Sequence, residues 1–403
     1  MAAPAPLPKT PLGYHRILSP SAGVRVSPLC LGGMNFGDAW QSFMGSCNKE
    51  TTFKILDYYY ESGGNFIDTA NNYQAEESEM WIGEWMERRG VRNEIVLATK
   101  YTTGYIGANA GAVQSNYAGN NTKSLHVSVE ASLKKLRTSY IDILYLHWWD
   151  FTTSVPEIMT SLNSLADRGK VLYLGISDTP AWLVSKANQY ARDHGLRPFV
   201  VYQGRWSAAL RDFERDIIPM CEAEGMGIAP WGVLGGGHFK TEEQMRKEEG
   251  RKAFMPATDA EMAVSKVLER IAKGKGRVMT SIAYVSPPSL FTRTTSTLEP
   301  ERANLDVSLA YCMQKTPNVF PIVGGRKVEQ LQGNIAALSI KLSAQEIEAI
   351  EEAYPFDYGF PLNFLFIGQK QPSRYGNDVL LTKMSAHLDV VQRPRAIEPR
   401  EEV

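Results

Sequence analysis

The stretch IDILYLHWWDFTTSVPEIMTSLNSLADRGKVLYLGIS (141–177) begins and ends with a short apolar run that has the length of a buried strand. Between the two runs, residues 155–168 repeat apolar side chains every three or four positions, which is the spacing of an amphipathic helix. A strand, a helix and a second strand in this order are typical of a parallel sheet, because parallel neighbours need a long crossover connection. This stretch therefore predicts an α/β fold.

The same alternation continues in both directions along the chain. Apolar runs predict buried strands at 28–33, 65–69, 94–100, 141–147, 171–177, 199–203, 226–230 and 319–323. Helical spacing occurs at 49–62, 77–88, 124–137, 155–168, 180–193, 211–224 and 327–338. Eight strands that alternate with helices predict a (β/α)8 TIM barrel. A doubly wound dinucleotide-binding sheet is disfavoured, because no GxGxxG follows the first strand.

Both ends of the chain add secondary structure to this barrel. Residues 14–18 and 24–27 flank the turn SPSAG and predict an N-terminal β-hairpin. Residues 342–353 predict an extra C-terminal helix, with Ser343 and Glu346 in the positions of a capping box. The barrel is therefore expected to carry a hairpin before its first strand and a helix and tail after its last.

The spacing of these elements predicts one barrel domain over residues 12–395, after a flexible Pro- and Ala-rich leader at 1–11 and before a flexible tail at 396–403. Residues 104–123 are rich in Gly and Asn and predict a long loop. An atypical Ser-, Thr- and Pro-rich insert occupies about 278–304, before the eighth strand. Three interpretations of the insert are open: a translated intron from an incorrect gene model, which is favoured slightly, a genuine surface loop, or a functional lid.

Composition excludes several classes of function. Of the 403 residues, 43% are hydrophobic and 22% are charged, as in a globular protein that buries a full core, and the net charge is −1. No basic surface is indicated for nucleic acid or an anionic membrane, and no apolar run approaches the ~18 residues of a membrane span. Four widely spaced cysteines favour reduced thiols and no metal site. We expect a cytoplasmic protein, and the sequence leaves its oligomeric state open.

Polar residues end three consecutive predicted strands. Asp68, Lys100 and His147 close strands two, three and four, and Tyr73 lies in the loop after strand two. Chemistry in such a barrel occurs at this end of the strands. Taken singly, these residues suit a rim salt bridge, a satisfied histidine or a loop aromatic. Together they can transfer a proton to a carbonyl oxygen, because a neighbouring ammonium lowers the phenol pKa from its usual ~10 and a carboxylate keeps that ammonium charged.

The other predicted strand ends suit a nicotinamide cofactor, which must supply the hydride that no side chain can donate. Ser177 and Gln203 can bind a carboxamide, Trp231 offers a flat face, and the glycines of GVLGGG (232–237) allow backbone N–H groups to approach a pyrophosphate. GGRK (324–327) precedes a helix, so a 2′-phosphate would meet a helix N-terminus and two cations, which favours NADPH over NADH. Each signal is weak alone, since Gly-rich turns and solvated charge pairs are common.

These motifs together resemble the aldo-keto reductases, and in particular the fungal branch of aryl-alcohol dehydrogenases and norsolorinic-acid-reductase-like enzymes. The resemblance covers about residues 12 to 395. It is carried by GGNFIDTANNY (63–73), IVLATKY (95–101), YIDILYLHWWD (140–150), LYLGISD (172–178), APWGVLGGG (229–237) and FPIVGGRKVEQLQGNI (320–335).

The resemblance implies a role for individual residues. Asp68, Tyr73, Lys100 and His147 take the positions of the catalytic tetrad, with Tyr73 as the proton donor in reduction. The positions implied to bind NADPH or NADP+ are Asp68, Ser177, Asp178, Gln203, Trp231, Gly232, Val233, Leu234, Gly235, Gly236, Gly237, Gly324, Gly325, Arg326, Lys327, Gln330 and Asn334. The family usually has Asn where this chain has Asp178, and an ionised Asp cannot donate a hydrogen bond to the carboxamide.

The function expected from the resemblance is the NADPH-dependent reduction of an aldehyde or ketone, or the reverse oxidation of an alcohol. Aromatic residues predicted near the mouth would suit an aromatic or secondary-metabolite intermediate; they are Trp40, Tyr101, Trp148 and Trp149. A non-catalytic NADPH-binding regulatory subunit is the alternative. A third hypothesis is that the insert prevents folding or cofactor closure. The sequence leaves the substrate and the physiological direction open.

Overall fold

The computed structural model of the chain describes residues 3–106, 112–239, 256–275, 303–369, 378–391 and 394–400, with the backbone alone at 303–305. Two antiparallel strands, β1 (Arg16–Ser19) and β2 (Ala22–Val26), form the predicted N-terminal hairpin. The parallel strands that follow are β3 (Cys30–Gly32), β4 (Phe66–Asp68), β5 (Val96–Tyr101), β6 (Ile141–Leu146), β7 (Val171–Ser177), β8 (Phe199–Arg205), β9 (Gly227–Trp231) and β10 (Ile322–Val323).

The eight parallel strands form a ring. Within the described residues their order is β10-β3-β4-β5-β6-β7-β8-β9, so consecutive strands are neighbours throughout. A parallel bridge joins Ile228 of β9 to Val319, just before β10, and so closes the ring. The Phe320 N–H donates to the Ile228 carbonyl at 2.8 Å, and the Ile228 N–H donates to the Asn318 carbonyl at 2.9 Å. The predicted (β/α)8 barrel is confirmed.

Helices connect the strands close to the predicted bounds. Asn48, Asn121 and Ser154 each start a helix, because the side chain accepts a hydrogen bond from the backbone N–H three residues later. The described helices are Gln41–Met44, Lys49–Glu61, Glu77–Arg89, Thr122–Lys135, Val155–Asp167, Ala181–Asp193, Ile217–Glu224, Asp259–Gly274, Ala303–Lys315, Val328–Ala336, Ala344–Glu352, Leu362–Leu365 and Leu380–Lys383.

The last predicted helix is present, and one other differs from its prediction. Ala344–Glu352 begins with the expected capping box of Ser343 and Glu346. The segment predicted as one helix over 211–224 is instead a short 3-10 turn at 212–214 followed by a helix from 217. The Arg211 guanidinium binds the Glu214 carboxylate at 2.8 Å, and the tighter 3-10 geometry brings residues three apart onto one side.

The core has two layers, which the strands separate. Along each strand, alternate side chains face the helices or the barrel interior, as with Ile67 and Phe66. The inner layer includes hairpin residues such as Leu18 and Val26, which close the end of the barrel where the strands begin. The opposite end, where the strands finish, is therefore left for the polar residues.

Several sequence predictions concern residues that lie wholly or partly outside this description. Most of the predicted insert at 278–304 and part of the predicted loop at 104–123 lie outside the described residues. The bounds of the domain, leader and tail stay predictions. The four cysteines are buried and unpaired. In the part of the chain that the structure describes, no helix has both the length and the apolar character needed to cross a bilayer.

Candidate active site

Asp68 and Lys100 form a buried ion pair at the C-terminal end of the barrel strands. Asp68 is the last residue of β4, and Lys100 lies on the neighbouring β5. The Lys100 Nζ atom is 2.6 Å from Asp68 Oδ2, and it donates a second hydrogen bond to the Thr69 carbonyl at 2.7 Å. Burial alone would lower the pKa of Lys100, but the Asp68 carboxylate and the contact with Tyr73 outweigh burial and raise the pKa. The ammonium therefore stays charged at neutral pH.

The ring of Tyr73 packs next to this pair. Its centre is 4.9 Å from Lys100 Nζ and 5.9 Å from the centre of the His147 ring, which it meets edge to face. Burial raises the pKa of the Tyr73 phenol above its usual value, and the nearby Lys100 ammonium lowers it by less. Lys100 lowers the pKa of Tyr73, as the sequence predicted, but burial raises that pKa by more, so the predicted net lowering is wrong. The phenol is therefore protonated at neutral pH and available as a proton donor.

His147 directly follows β6 and completes the group of four. The Nδ1 atom of its ring is 3.3 Å from the hydroxyl oxygen of Thr103, which also accepts a hydrogen bond from the Trp148 indole at 3.0 Å. Burial, together with the nearby charge of Lys100, lowers the pKa of His147 to about 3. The imidazole is neutral at physiological pH, so it can orient a carbonyl oxygen by hydrogen bonding but does not store a proton.

The loop that carries Tyr73 has an unusual backbone. Gln74, Ala75 and Glu76 have φ angles of 54°, 49° and 81°, so three successive residues with side chains lie in the left-handed region. Such conformations are costly and persist only where the surroundings hold them. Asn71 contributes to this by donating hydrogen bonds to the Thr103 carbonyl at 3.0 Å and to the Ser128 hydroxyl at 2.8 Å.

Gln203 contacts the tetrad directly, which the sequence did not predict. Its Nε2 atom donates a hydrogen bond to Asp68 Oδ1 at 2.9 Å. The two Asp68 oxygens are therefore bound by different partners, Lys100 on one side and Gln203 on the other. The Gln203 carbonyl oxygen remains the part of this amide that suits the N–H₂ group of a carboxamide.

Ser177 and Asp178 follow at the end of β7. The Ser177 hydroxyl is buried and makes no well-formed hydrogen bond with any described residue, although it is close enough to the Asp178 carboxylate to lower the pKa of that group. A buried hydroxyl without a partner is costly, so this position fits a bound amide. Asp178 has a φ of 40°, a conformation that Asn and Asp tolerate better than other side chains, so it suits the backbone at this position as Asn would.

The Asp178 carboxylate is exposed at the mouth, yet enough protein surrounds it to raise its pKa to about 6. The proximity of Trp231 and Ser177 and the charge of Lys100 lower the pKa by less than burial raises it. This carboxyl group therefore changes protonation close to physiological pH. The protonated form can donate the hydrogen bond that an ionised Asp cannot.

Trp231 and the glycines after it border the mouth on the side of β9. The indole is 37% exposed, and the Arg205 guanidinium carbon lies over its ring at 5.9 Å from the ring centre. Gly232, Gly235, Gly236 and Gly237 all have positive φ. In this run the Val233 side chain is buried and its carbonyl accepts a hydrogen bond from Ser308 at 2.6 Å, while Leu234 is half-buried. Because its side chain is buried and its carbonyl is already bound, Val233 could contact a cofactor only through its backbone N–H group.

The segment after β10 brings the predicted phosphate-binding residues to the start of a helix. Lys327 is exposed and is the N-cap residue of Val328–Ala336, and Arg326 is half-buried against the segment around Gly45. The Gln330 side chain accepts a hydrogen bond from the Arg326 N–H at 2.7 Å. Gly324, Gly325 and the buried Asn334 complete the predicted set in this region. Two cations at a helix N-terminus fit a phosphate group.

Comparisons with known proteins identify the family of this chain. The sequence model of the Aldo/keto reductase family matches residues 28–285 and 302–355. The chain belongs to this family. It is 58% identical to norsolorinic acid reductase B of Dothistroma septosporum, over 96% of this chain and 94% of that protein. It is 54% identical to norsolorinic acid reductase of Aspergillus flavus (98% and 96%) and 46% identical to aryl-alcohol dehydrogenase [NADP(+)] of Phanerodontia chrysosporium (99% of both chains).

The family and these relatives show that this aldo/keto reductase is an oxidoreductase of the carbonyl-reducing type. The resemblance in the sequence is confirmed. The prediction for the aromatic residues is only partly correct. The Trp40 ring meets Tyr73 at 6.3 Å, and Trp148 is 38% exposed beside His147. Tyr101 and Trp149 are instead buried in the core, where the Tyr101 hydroxyl donates a hydrogen bond to the Asn120 carbonyl.

Two buried residues near the site of this reductase were missed by sequence reasoning. Tyr145 pairs with Lys100 across β5 and β6, and its ring centre is 5.9 Å from Lys100 Nζ. A Cβ atom at Gly175 would lie 2.4 Å from that ring, so the glycine makes room for Tyr145. Gln74 follows Tyr73 and is fully buried. A glycine opposite an aromatic on adjacent strands could have indicated Tyr145, but no local pattern marks a loop glutamine as buried.

Proposed function

We propose that this aldo/keto reductase catalyses the NADPH-dependent reduction of an aldehyde or ketone, with Tyr73 as the proton donor. The observation that carries the proposal is the buried Lys100–Asp68 pair next to a protonated phenol and a neutral imidazole. A structural salt bridge would not need a tyrosine and a histidine packed against it. The same residues would act in reverse in the oxidation of an alcohol.

The four side chains divide the proton chemistry among them. Tyr73 Oη gives its proton to the carbonyl oxygen of the substrate, and the Lys100 ammonium stabilises the phenolate that remains. Asp68 keeps Lys100 charged and in place through the 2.6 Å contact. Neutral His147 donates a hydrogen bond that orients the carbonyl oxygen towards Tyr73. NADPH, when bound, supplies the hydride.

The residues at the cofactor side fit NADPH. Ser177, Asp178 and Gln203 would bind the carboxamide, and the exposed face of Trp231 would pack against the nicotinamide ring. The glycine run 232–237 would bind the pyrophosphate through backbone N–H groups. The 2′-phosphate would be bound by Arg326 and Lys327, and the adenine side by Gln330 and Asn334. The choice of NADPH over NADH depends mainly on the two cations.

The proposed substrate is an aromatic compound or a secondary-metabolite intermediate, and the proposed compartment is the cytoplasm. Two observations support the substrate class. Trp40 and Trp148 border the Tyr73 and His147 rings. Relatives that cover nearly the whole chain are named norsolorinic acid reductase and aryl-alcohol dehydrogenase.

A Tyr73→Phe substitution tests the proposal. NADPH consumption with an aromatic aldehyde is expected to fall by roughly 10²–10⁴-fold, the usual contribution of a general acid, while NADPH binding measured by fluorescence stays within twofold. Tyr190→Phe is the matched control, since Tyr190 stacks on His194 on an outer helix. Equal rates in Tyr73→Phe and wild type would exclude Tyr73 as the acid. Tight NADPH binding by the wild type, without turnover of any carbonyl compound, would favour a regulatory subunit.

An Arg326→Met substitution tests the cofactor choice separately. The KM for NADPH is expected to rise by at least about tenfold, because a charge-assisted bond to phosphate is lost, and the KM for NADH is expected to change by less than twofold. An equal rise for both cofactors would show that Arg326 does not bind the 2′-phosphate.

A further inference from the structure

The segment between β3 and the helix Lys49–Glu61 forms a loop beside the proton donor. Residues 37–47, called here the Trp40 loop, leave the barrel and return, and an antiparallel bridge between Gly37 and Cys47 closes the base of the loop. The Trp40 ring in this loop meets the Tyr73 ring edge-on, with 6.3 Å between the ring centres. Phe43 in turn packs against Trp40 at 5.6 Å. The loop therefore brings an aromatic surface up to the phenol.

Apolar burial holds this loop at Met44 and Cys47, which are buried, and contributes little before them. Asp38 and Ala39 are exposed, Phe43 is 46% exposed and Trp40 is half-buried. The short helix Gln41–Met44 is held by backbone hydrogen bonds within the loop, whereas the backbone of residues 38–40 is bound by side chains outside it. Without them, an excursion of this kind would sample many positions, because each ordered residue costs conformational entropy.

Gln74 makes the most protected of these bonds. Its Oε1 atom accepts a hydrogen bond from the Trp40 N–H at 2.8 Å, and its Nε2 atom donates to the Met34 carbonyl at 3.0 Å. The side chain is fully buried and also contacts the Met44 sulfur. One buried amide therefore binds both Met34, just before the Trp40 loop, and Trp40 within it, and water competes little for these bonds.

The backbone on both sides is adapted to this contact. Gln74 is the first of the three left-handed residues that follow Tyr73, and this conformation directs its side chain towards the Trp40 loop rather than along the next helix. Gly37 has a φ of 151°, and a Cβ atom at that position would lie 2.3 Å from the Gln74 Cβ. Glu77 binds the exposed part of the loop through the N–H groups of Asp38 and Ala39, at 2.6 and 3.0 Å.

We propose that Gln74 is a positioning residue for substrate specificity: it binds the Trp40 loop beside Tyr73, and so makes the enzyme prefer a planar aromatic carbonyl compound to a small aliphatic one. The proposal rests on the carbonyl reduction proposed above. Gln74 itself touches neither substrate nor cofactor. It acts by setting the distance and angle between the Trp40 ring and the phenol that donates the proton, because an aromatic ring stacks favourably only within a narrow range of geometry.

The test compares kcat/KM for benzaldehyde and for propanal at saturating NADPH in four proteins: wild type, Gln74→Leu, Trp40→Leu and Gln189→Leu. Gln74→Leu keeps the size of the side chain and removes both hydrogen bonds. Trp40→Leu removes the ring and leaves the buried amide in place. Gln189→Leu is the matched control, since Gln189 bonds only to neighbours on an outer helix at a distance from the mouth. Circular dichroism melting establishes that each variant is folded.

The expected result is a fall of about tenfold in the benzaldehyde-to-propanal ratio for both Gln74→Leu and Trp40→Leu, with Gln189→Leu within twofold of wild type. An equal loss for both aldehydes in Gln74→Leu would overturn the proposal, because Gln74 would then act on Tyr73 or on the fold. An unchanged ratio in Trp40→Leu would overturn it even if Gln74→Leu failed to fold. Absence of turnover of either aldehyde by the wild type would instead refute the carbonyl reduction on which the proposal rests.

Discussion

Replacing Lys100 with Met would leave the Asp68 carboxylate buried with one of its two partners removed. The Lys100 Nζ to Asp68 Oδ2 distance is 2.6 Å, and at an effective dielectric constant of about 20 Coulomb's law gives an attraction of about 6 kcal/mol. Desolvation of the two ions costs several kcal/mol each, so the intact pair contributes little net stability. When Lys100 is lost, the attraction disappears, but the cost of keeping the Asp68 carboxylate away from water remains.

The expected cost of Lys100→Met is therefore about 3–5 kcal/mol in the free energy of unfolding, the range found when a buried pair loses one partner. Asp68→Asn is expected to cost a similar amount, because the Lys100 ammonium would stay buried without a carboxylate beside it, with the Thr69 carbonyl and Tyr73 as its partners. The Asp68→Leu, Lys100→Met double variant is expected to recover at least about 2 kcal/mol relative to the sum of the single changes, since no buried charge remains.

Urea unfolding followed by circular dichroism measures these differences, and NADPH consumption with an aromatic aldehyde measures the chemistry on the same samples. The pH dependence adds a second criterion. In Asp68→Asn the pKa of Lys100 should fall below its unfolded value, so the folded form binds fewer protons and the loss of stability should shrink as pH rises towards about 10. A cost below about 1 kcal/mol for either single variant, or strict additivity in the double variant, would refute the picture of a buried, mutually dependent pair.

Two further predictions concern pH. The pKa of His147 is about 3, below that of an unfolded histidine, so the folded protein binds fewer protons and should lose stability as pH falls from about 6.5 to 3. In urea titrations, His147→Gln should reduce this loss of stability. An acid profile identical to that of the wild type would contradict a neutral imidazole. The pKa of Asp178 is raised to about 6, so its ionisation disfavours the folded state as pH rises from about 4 to 6. Asp178→Asn should therefore raise the melting temperature above pH 6 and have no effect near pH 3. A variant less stable than the wild type at pH 8 would show that the fold stabilises the charged form of Asp178.

Much of the architecture of this reductase could be predicted from local sequence. Buried parallel strands are continuous apolar runs, and the helices between them show a different period, so the barrel strands were found near their observed bounds. Asp68, Lys100 and His147 could be placed at one mouth for the same reason, since parallel strands all finish at the same end of a barrel. Glycine runs and a pair of cations before a helix likewise predict a site for phosphate groups, and the cofactor contacts there stay a prediction.

The contacts that tune the site depend on distances between residues far apart in the chain. Gln203 binds Asp68 across 135 positions of sequence, and Gln74 reaches back 40 and 34 positions to Met34 and Trp40. No periodicity encodes such pairs. The pKa of Tyr73 is also a tertiary property, because residue types alone indicate the charge of Lys100 but not the extent of burial that outweighs it.

The stretch 141–177 shows on a smaller scale which properties are local and which depend on the tertiary structure. By itself it determined a strand, a helix and a second strand with His147 and Ser177 at the strand ends, because hydrophobic period and strand direction are local properties. Only the closed barrel decided that the His147 imidazole is neutral and that the Ser177 hydroxyl is buried without a well-formed hydrogen bond. Both outcomes depend on burial, which is set by what surrounds a group in three dimensions rather than by its neighbours in sequence.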